Sequence, residues 1–343
     1  MFGQAKILQV ELSSMCNALC LGCHRTETLN YNRAKYMIPK KQYVSLETFE
    51  QLLASKTMED LWEIEFCGTI DDPLMHPQYL ELLELIYNKK PNLSISVHTN
   101  ASLRTPAYFT NLATILQKFK KHSVHFSIDG LKDTNHIYRQ RTNFDKIIEN
   151  AQAYIAAGGT AIWQFLIFPW NEHQQQEAKE LSQELGFEKI VIRRDRSGVS
   201  ELGLKKVQLK KRNDKREITK PPKNYSASQK LPIECNSLKR SMYYLSYDSR
   251  LWPCCFLSNG FFMTPDMQEH LEKRLYDNYG KDFNDLTVNN ADEIVAHEFF
   301  ANDLIESFDN DVGESKCGKL KRCVDTCTVK ELQKRPIGKT LEI

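Results

Sequence analysis

Residues 7–23, ILQVELSSMCNALCLGC, join a short apolar run to three cysteines at positions 16, 20 and 23. Ile7, Leu8, Val10 and Leu12 predict a strand over Ile7–Leu12, with the cysteines in the loop directly behind it. Outward from this stretch the same arrangement recurs. Further strands are predicted at Leu61–Phe66, Ser94–His98, Ser123–Ser127, Ala161–Phe168 and Lys189–Arg193, with amphipathic helices between them. Ser45 is placed to cap one helix, Pro77 opens another, Thr105-Pro106 is a cap followed by proline at the first helical position, and Gly186 closes the helix that begins near Glu172. Strand followed by helix, six times over, requires right-handed parallel crossovers, so the sheet is parallel and either open or curled into a full or partial barrel.

The chain has 343 residues, a net charge of +2, 41% hydrophobic and 26% charged residues. That length supplies one large or two ordinary domains with a substantial core, and the apolar and aromatic content excludes whole-chain disorder. No apolar run of about 18 residues is present, and the first residues lack the apolar core of a secretory signal. A cytoplasmic protein with no membrane partner is expected. In a reducing compartment ten cysteines point to metal rather than to disulfides.

After residue 200 the alternation stops. Lys205–Lys230 holds ten Lys or Arg against two acidic residues, which leaves the rest of the chain at about −6 and argues against a dedicated nucleic-acid binder. This stretch, within 201–234, reads as a basic linker or a mobile loop: either a solvated tether or a segment that closes over an acidic substrate. Beyond it, Tyr243–Tyr247 and Leu251–Cys255 read as a hairpin about Asp248-Ser249-Arg250, and helices are expected near Met267–Tyr276 and Ala291–Phe308. Six cysteines lie here, at 235, 254, 255, 317, 323 and 327.

Three thiols within eight residues suit one corner of an iron–sulfur cubane and leave the fourth iron open. The same spacing also serves a closed zinc site, with His24 as fourth ligand.

C-x3-C-x2-C after the first strand of a six-fold strand–helix repeat resembles the radical S-adenosylmethionine (radical SAM) superfamily. The resemblance implies an α/β fold, a partial (β/α)6 TIM-like barrel over 1–200, followed by a small α+β domain of hairpin and helices over 235–343. It also implies a [4Fe-4S] cluster on Cys16, Cys20 and Cys23 whose open iron binds SAM, which is cleaved to a 5′-deoxyadenosyl radical that abstracts a substrate hydrogen. Phe66–Pro77, FCGTIDDPLMHP, is similar to the family's Gly-Gly-Glu-Pro segment, with Asp72 in the acidic place that holds the SAM ammonium, Asp71 in place of a glycine, and Gly68 nearby. Thr99-Asn100 is a polar pair turned toward the cofactor. Ser127-Ile128-Asp129-Gly130 with Tyr138-Arg139 resembles the signature of the branch with SPASM or Twitch extensions. By that resemblance Ser127 touches the SAM ribose or carboxylate, Asp129 lies at the cofactor site and Arg139 pairs with the carboxylate, the bland alternative for Arg139 being a surface ion pair. Asn171-Glu172-His173 also recurs in that branch and doubles as a helix cap. The family's aromatic residue before the third cysteine is Gly22 here, so adenine stacking comes from elsewhere or rests on backbone contacts.

The cysteine-flanked hairpin resembles a Twitch or SPASM extension. It implies one auxiliary [4Fe-4S] cluster held by four of Cys235, Cys254, Cys317, Cys323 and Cys327, with structural zinc as the rival occupant. Cys67 and Cys255 are left over, either as small apolar residues or as thiols that donate a hydrogen atom to a substrate radical. The expected function is hydrogen abstraction from a peptide or small polar substrate, followed by oxidation, crosslinking or epimerisation, with flavodoxin or ferredoxin as electron donor. Acid–base groups expected at the mouth are His98, Asp129, Arg193 and Asp195, with Gln164 as an orienter. The contrasting expectation is a non-catalytic zinc-binding protein that contacts nucleic acid or acidic partners through the basic stretch.

Overall fold

The computed structural model describes residues 2–26, 38–39, 41–195, 232–262, 264–328 and 341–342. The basic stretch Lys205–Lys230 lies outside them. The architecture is mixed α/β with a parallel sheet, consistent with a partial TIM-like barrel. The chain divides into two compact units. One gathers Met1–Val10, Tyr43–Trp62 and Arg216–Pro336; the other gathers Glu11–Gln42, Glu63–Lys215 and Ile337–Ile343. The expected domains 1–200, 201–234 and 235–343 follow chain order, whereas these units follow packing.

The larger unit holds β2 (Glu63–Phe66), β3 (Ser94–Thr99), β4 (Lys121–Ser127), β5 (Ala161–Ile167) and β6 (Lys189–Arg194), side by side in that order and parallel throughout. Leu341–Glu342 adds a short antiparallel edge on β6. Ile95, Val97, Val124, Phe126, Trp163 and Phe165 point to one face and are buried at 1% or less. Ser94, Ser96 and His98 alternate with them on the other face of β3 and stay half-buried. A period of two with a polar inner face is what a sheet needs when only its outer face is packed by helices. Those helices run over Tyr79–Lys89, Pro106–Leu116, Phe144–Ala156 and Gln175–Glu184. Thr105 caps the second with its side chain on Tyr108 N, and Asn143 caps the third on Lys146 N, as short oxygen-bearing side chains do. Gly186 closes the fourth at φ +83°, a conformation in which a Cβ is strained. The helix expected at Pro77 begins two residues later, because Pro73–Met75 forms its own 3₁₀ turn capped by Asp72.

In the smaller unit β1 (Ile7–Val10) pairs in parallel with β7 (Met242–Leu245), and β7 pairs antiparallel with β8 (Leu251–Trp252). Ser45 caps a helix over Leu46–Ala54 that buries Phe49, Leu52 and Leu53. Two expectations change here. The return strand predicted to reach Cys255 stops at Trp252, and Cys254 becomes the cap of a helix over Cys255–Gly260. The helix predicted over Ala291–Phe308 is broken: an α segment Ala291–Ala296 ends at His297 with extended ψ, followed by a π-helical turn, Phe299–Asp303. Phe299 and Phe300, in that turn, are both fully buried.

Candidate active site and cysteine centres

In the larger unit, the polar segments that follow β2, β3 and β4 converge on the cysteine loop. Asp72 is 3% exposed. Its carboxylate accepts from Thr99 Oγ1 at 2.9 Å, Asn100 N at 2.9 Å, Asn100 Nδ2 at 2.7 Å and Leu74 N at 3.1 Å. Burial pushes its pKa up while the Asn100, Thr99 and Leu74 bonds pull the other way. Asn100 Nδ2 also donates to Asn17 Oδ1 at 2.8 Å and reaches Cys16 Sγ at 3.8 Å. The backbone N–H of Asp72 donates to Met15 O at 2.9 Å. Asp72, Thr99, Asn100 and Cys16 therefore form one hydrogen-bonded cluster, and Asn17 joins it. No spacing signal marked Asn17, because its partner lies 83 residues away.

Asp129 and Arg139 form a second junction. Arg139 Nε donates to Asp129 Oδ2 at 2.6 Å, and Nη1 reaches Cys20 Sγ at 3.7 Å. Asp129 is fully buried, and its other oxygen accepts from Leu166 N at 2.6 Å. Burial raises the Asp129 pKa against the pull of Arg139. The guanidinium, which burial alone would weaken as a base, is raised by Asp129 and by Cys20. The pair is thus internal to the fold, not on its surface. Ser127 is half-buried, opposite Gln164 in the β4–β5 register, and its hydroxyl makes no hydrogen bond among the described residues.

Gly68 stands where a Cβ would come within 1.6 Å of Asp71 Oδ1 and 3.0 Å of Glu11 Cγ. Asp71 Oδ2 accepts from Leu12 N at 2.9 Å and Ser13 N at 3.1 Å, while Glu11 Oε1 accepts from Thr69 N and Ile70 N, both at 2.7 Å. Two carboxyl groups thus clamp the loop after β2 to the segment that leads into the cysteines. Burial, then the charge of Glu11, raises Asp71 well above an ordinary carboxylic acid. This clamp was not foreseen, although the Asp in place of the family's glycine was its visible trace.

The cysteine loop is seated on aromatic rings. Ala18, Cys20 and Leu21 pack with Tyr138, Phe168 and Trp170, and Cys16 and Cys23 join from the side. Phe168 and Trp170 stack at 4.8 Å, and Tyr138 lies 4.4 Å from Phe168. These rings are at most 8% exposed, so they support the loop from beneath and offer no open face to an adenine. Gly22 adopts φ +68°, which explains why no aromatic residue precedes Cys23: a side chain there would be strained. Burial raises Cys16 well above a free thiol, with Asp72 and Cys20 adding to it, and raises Cys20 to about 11 against the pull of Arg139.

The carboxyl-terminal thiols fall into two places in the smaller unit. Cys323 and Cys327 lie one turn apart on the helix Lys321–Cys327, hence on one face. Glu234 N donates to Cys327 O at 2.8 Å, which brings Cys235 beside it. Burial raises Cys254, with Cys255, Cys235 and Cys327 adding to it. Burial likewise raises Cys323, with Cys327, Cys254 and Cys235 adding to it. Cys235, Cys254, Cys323 and Cys327 are therefore mutual neighbours. Cys317 is elsewhere, exposed beside Asp303 and Glu306. Among the described residues that trio is the only group of three potential ligands whose donor atoms all lie within 4.8 Å of one another. Sulfurs on one zinc ion at about 2.3 Å sit about 3.8 Å apart. Neither the amino-terminal trio nor the carboxyl-terminal quartet supplies three donor atoms within 4.8 Å of one another. Cys67 and Cys255 are half-buried, at the end of β2 and the start of the helix Cys255–Gly260.

Residues 10–183, just over half of the chain, match the family model described as the radical SAM superfamily. A sequence comparison with curated proteins gives no match. Among solved structures, anSMEcpe with bound AdoMet and Cp18Cys peptide is similar at a TM-score of 0.53 and 15% identity, over 94% of this chain and 89% of that one. Streptococcus suis SuiB bound to its precursor peptide SuiA is similar at 0.51 and 14% identity, over 81% and 67%. At such identities the likeness is one of fold. No helix among the described residues is long and apolar enough to cross a membrane.

Proposed function

Because the chain belongs to the radical SAM superfamily, we propose that it abstracts hydrogen from a peptide or small polar substrate and carries the product radical on to oxidation, crosslinking or epimerisation. A [4Fe-4S] cluster on Cys16, Cys20 and Cys23 supplies, with SAM, the reductive cleavage that generates the 5′-deoxyadenosyl radical. Asp72 holds the SAM ammonium, and Thr99 and Asn100 keep its carboxylate pointed and pull its pKa down against the rise that burial causes. Asp is shorter than the family's Glu, and the tie from Asp72 N to Met15 O offsets this by drawing its backbone toward the cysteine loop. Arg139 faces the SAM carboxylate with the guanidinium edge left by Asp129, and Ser127 offers a free hydroxyl to the ribose or carboxylate. At Cys20 the charge and hydrogen bond of Arg139 oppose the burial that raises the thiol, pulling toward the thiolate form that iron binding requires.

The observation that carries this reading is the meeting of both polar junctions with the cysteine loop, one at Cys16 and one at Cys20. In the smaller unit we assign one auxiliary [4Fe-4S] cluster to Cys235, Cys254, Cys323 and Cys327. The two similar structures hold peptides, which favours a peptide over a small polar substrate. A cytoplasmic location and a flavodoxin or ferredoxin donor complete the proposal. Anaerobic reconstitution followed by incubation with SAM and reductant tests it. Release of 5′-deoxyadenosine is the expected result, and a chain that takes up zinc but no iron and sulfide overturns the enzyme reading.

A further inference from the structure

We propose that Asn171 is a positioning residue of the SAM site: its buried carboxamide stands in for the last hydrogen bonds between β4 and β5 and holds Asp129, and through it Arg139, against the cysteine loop. That role rests on the radical SAM reading.

β4 and β5 pair as far as Ser127 and Gln164, and Ile128 N still donates to Gln164 O at 3.0 Å. Side chains brace the strands to the same level. Gln164 Nε2 lies 2.9 Å from His125 Nδ1, and the His125 ring stacks on His98 of β3 at 4.2 Å with 13° between planes. One rung further, a parallel ladder would run from Leu166 N to Ile128 O and from Gly130 N to Leu166 O. Side chains take these positions instead. Leu166 N donates to Asp129 Oδ1 at 2.6 Å, Ile128 O accepts from Trp163 Nε1 at 2.9 Å, and Leu166 O accepts from Asn171 Nδ2 at 2.9 Å. The same amide nitrogen donates to Asp129 O at 3.0 Å, and Asn171 Oδ1 accepts from Phe168 N at 2.7 Å. Asn171 is fully buried, with both amide protons and the amide oxygen in use. It precedes the 3₁₀ turn Glu172–Gln174, yet its side chain makes no capping bond there.

The groups so held lead to the cofactor residues by two routes. Asp129 is fixed on both sides of its backbone, by Asn171 at its carbonyl and by its N–H on Asn135 Oδ1 at 2.9 Å, which aims its carboxylate at Arg139 Nε. Phe168, whose N–H Asn171 receives, lies ring to ring with Tyr138 at 4.4 Å, and Tyr138 immediately precedes Arg139. The segment around Arg139 is tied in turn to the cysteine loop: Leu21 N donates to Tyr138 O at 3.2 Å and Leu19 N to Gln140 O at 2.9 Å. The parting of β4 from β5 opens the carboxyl end of the sheet, the end at which parallel sheets bind ligands. A carboxamide keeps that opening at a fixed width without closing it, because it supplies two donors and one acceptor from one rigid plane. Without it the buried carbonyls of Asp129 and Leu166 lose a donor, and the carboxylate that aims Arg139 loses its anchor.

Titration of the reconstituted full-length protein with SAM, followed by calorimetry and by the electron paramagnetic resonance spectrum of the reduced cluster, tests this role. Asn171→Ala is expected to weaken SAM binding at least about tenfold, with iron and sulfide content unchanged. Asn171→Asp has nearly the parent's shape and keeps the acceptor for Phe168 N, but it loses both donations; it is expected to weaken SAM binding as well, and it carries the comparison if the Ala variant does not fold. Asn284→Ala removes an equally buried carboxamide in the smaller unit, where it bonds Leu251 O and Arg250. This variant is expected to lower the thermal midpoint and to leave SAM affinity as it is. In an Arg139→Gln background, Asn171→Ala is expected to change SAM affinity less than about threefold, because the group that it positions is gone. The role is overturned if either Asn171 variant binds SAM like the parent, if Asn284→Ala loses as much affinity, or if the full penalty survives in the Arg139→Gln background. A parent that binds no SAM overturns the radical SAM reading and this role together, whereas a parent that binds SAM no better than its Asn171 variants overturns the role alone.

Discussion

Arg139 Nε lies 2.6 Å from Asp129 Oδ2, and the same guanidinium reaches Cys20 Sγ at 3.7 Å. One cation therefore serves a fully buried carboxylate and a cysteine of the metal-binding loop. Removing either charge strands the other, and a buried charge without its partner costs about 3–5 kcal/mol. Asp129→Asn is accordingly expected to lower the free energy of unfolding by about that amount in urea titrations. The double change Asp129→Asn with Arg139→Met is expected to cost less than the sum of the single changes. Additivity within error would mean that the two groups do not depend on one another.

Gly68 and Asp71 make a sharper steric test. A methyl group at residue 68 would overlap Asp71 Oδ1, so Gly68→Ala must push that carboxyl off Leu12 N and Ser13 N. The expected cost is about 1–3 kcal/mol, the usual range for overpacking, read as a fall in the thermal midpoint. In an Asp71→Ala background the nearest obstacle is gone and Glu11 Cγ remains at 3.0 Å, so Gly68→Ala is expected to cost clearly less there. An equal penalty in both backgrounds would rule out Asp71 as the obstacle.

The parallel sheet was legible in the sequence because short apolar strands, plainly alternating in β2, β3 and β4, recur with amphipathic helices between them. Ser45, Thr105 and Gly186 behave as their chemistry dictates. The cysteine loop was legible from three thiols in eight residues. What escaped was set by contacts between distant residues: Asn17 with Asn100, Glu11 with the loop at Thr69, and the fixing of His125 by Gln164. The break near His297 was hidden because Ala291–Phe308 has acceptable helical periodicity throughout. Gly22 could have been read from the glycine itself, since its positive φ leaves no room for the aromatic residue that the family places there.

The stacked histidines give a pH dependence of definite sign. Both are depressed in the folded protein, to about 4 and about 3, from an unfolded value near 6.5. Above that value both states are neutral and the pair contributes nothing to the pH dependence. As pH falls from about 6.5 toward 4, the unfolded chain binds protons that the folded one refuses, so stability is lost. The raised carboxyls of Asp71, Asp72 and Asp129 act in the opposite direction at acid pH, so the histidine part is isolated by comparing variants. His98→Gln with His125→Gln is expected to show a smaller fall in thermal midpoint between pH 7 and pH 5 than the parent. An equal fall would show that these rings titrate normally.

The carboxyl-terminal thiols separate four neighbours from one outlier, and that separation is open to direct chemistry. Cys235, Cys254, Cys323 and Cys327 act on one another electrostatically, whereas Cys317 stands exposed by Asp303 and Glu306. If the four hold one cubane and the amino-terminal trio another, the reconstituted protein carries about eight irons per chain. Cys323→Ser is expected to reduce this to about four, because a cluster with one of four thiolates missing is poorly retained in a partly solvated site, while SAM binding at the other cluster persists. Cys317→Ser is expected to keep all eight, and it is the more discriminating of the two. A chain-order view of the motif Cys317-x5-Cys323-x3-Cys327 treats the three thiols alike, and only their placement in space sets Cys317 apart. Loss of four irons on changing Cys317, with retention on changing Cys323, would reverse the assignment and require the segment before Lys321 to carry the ligand instead.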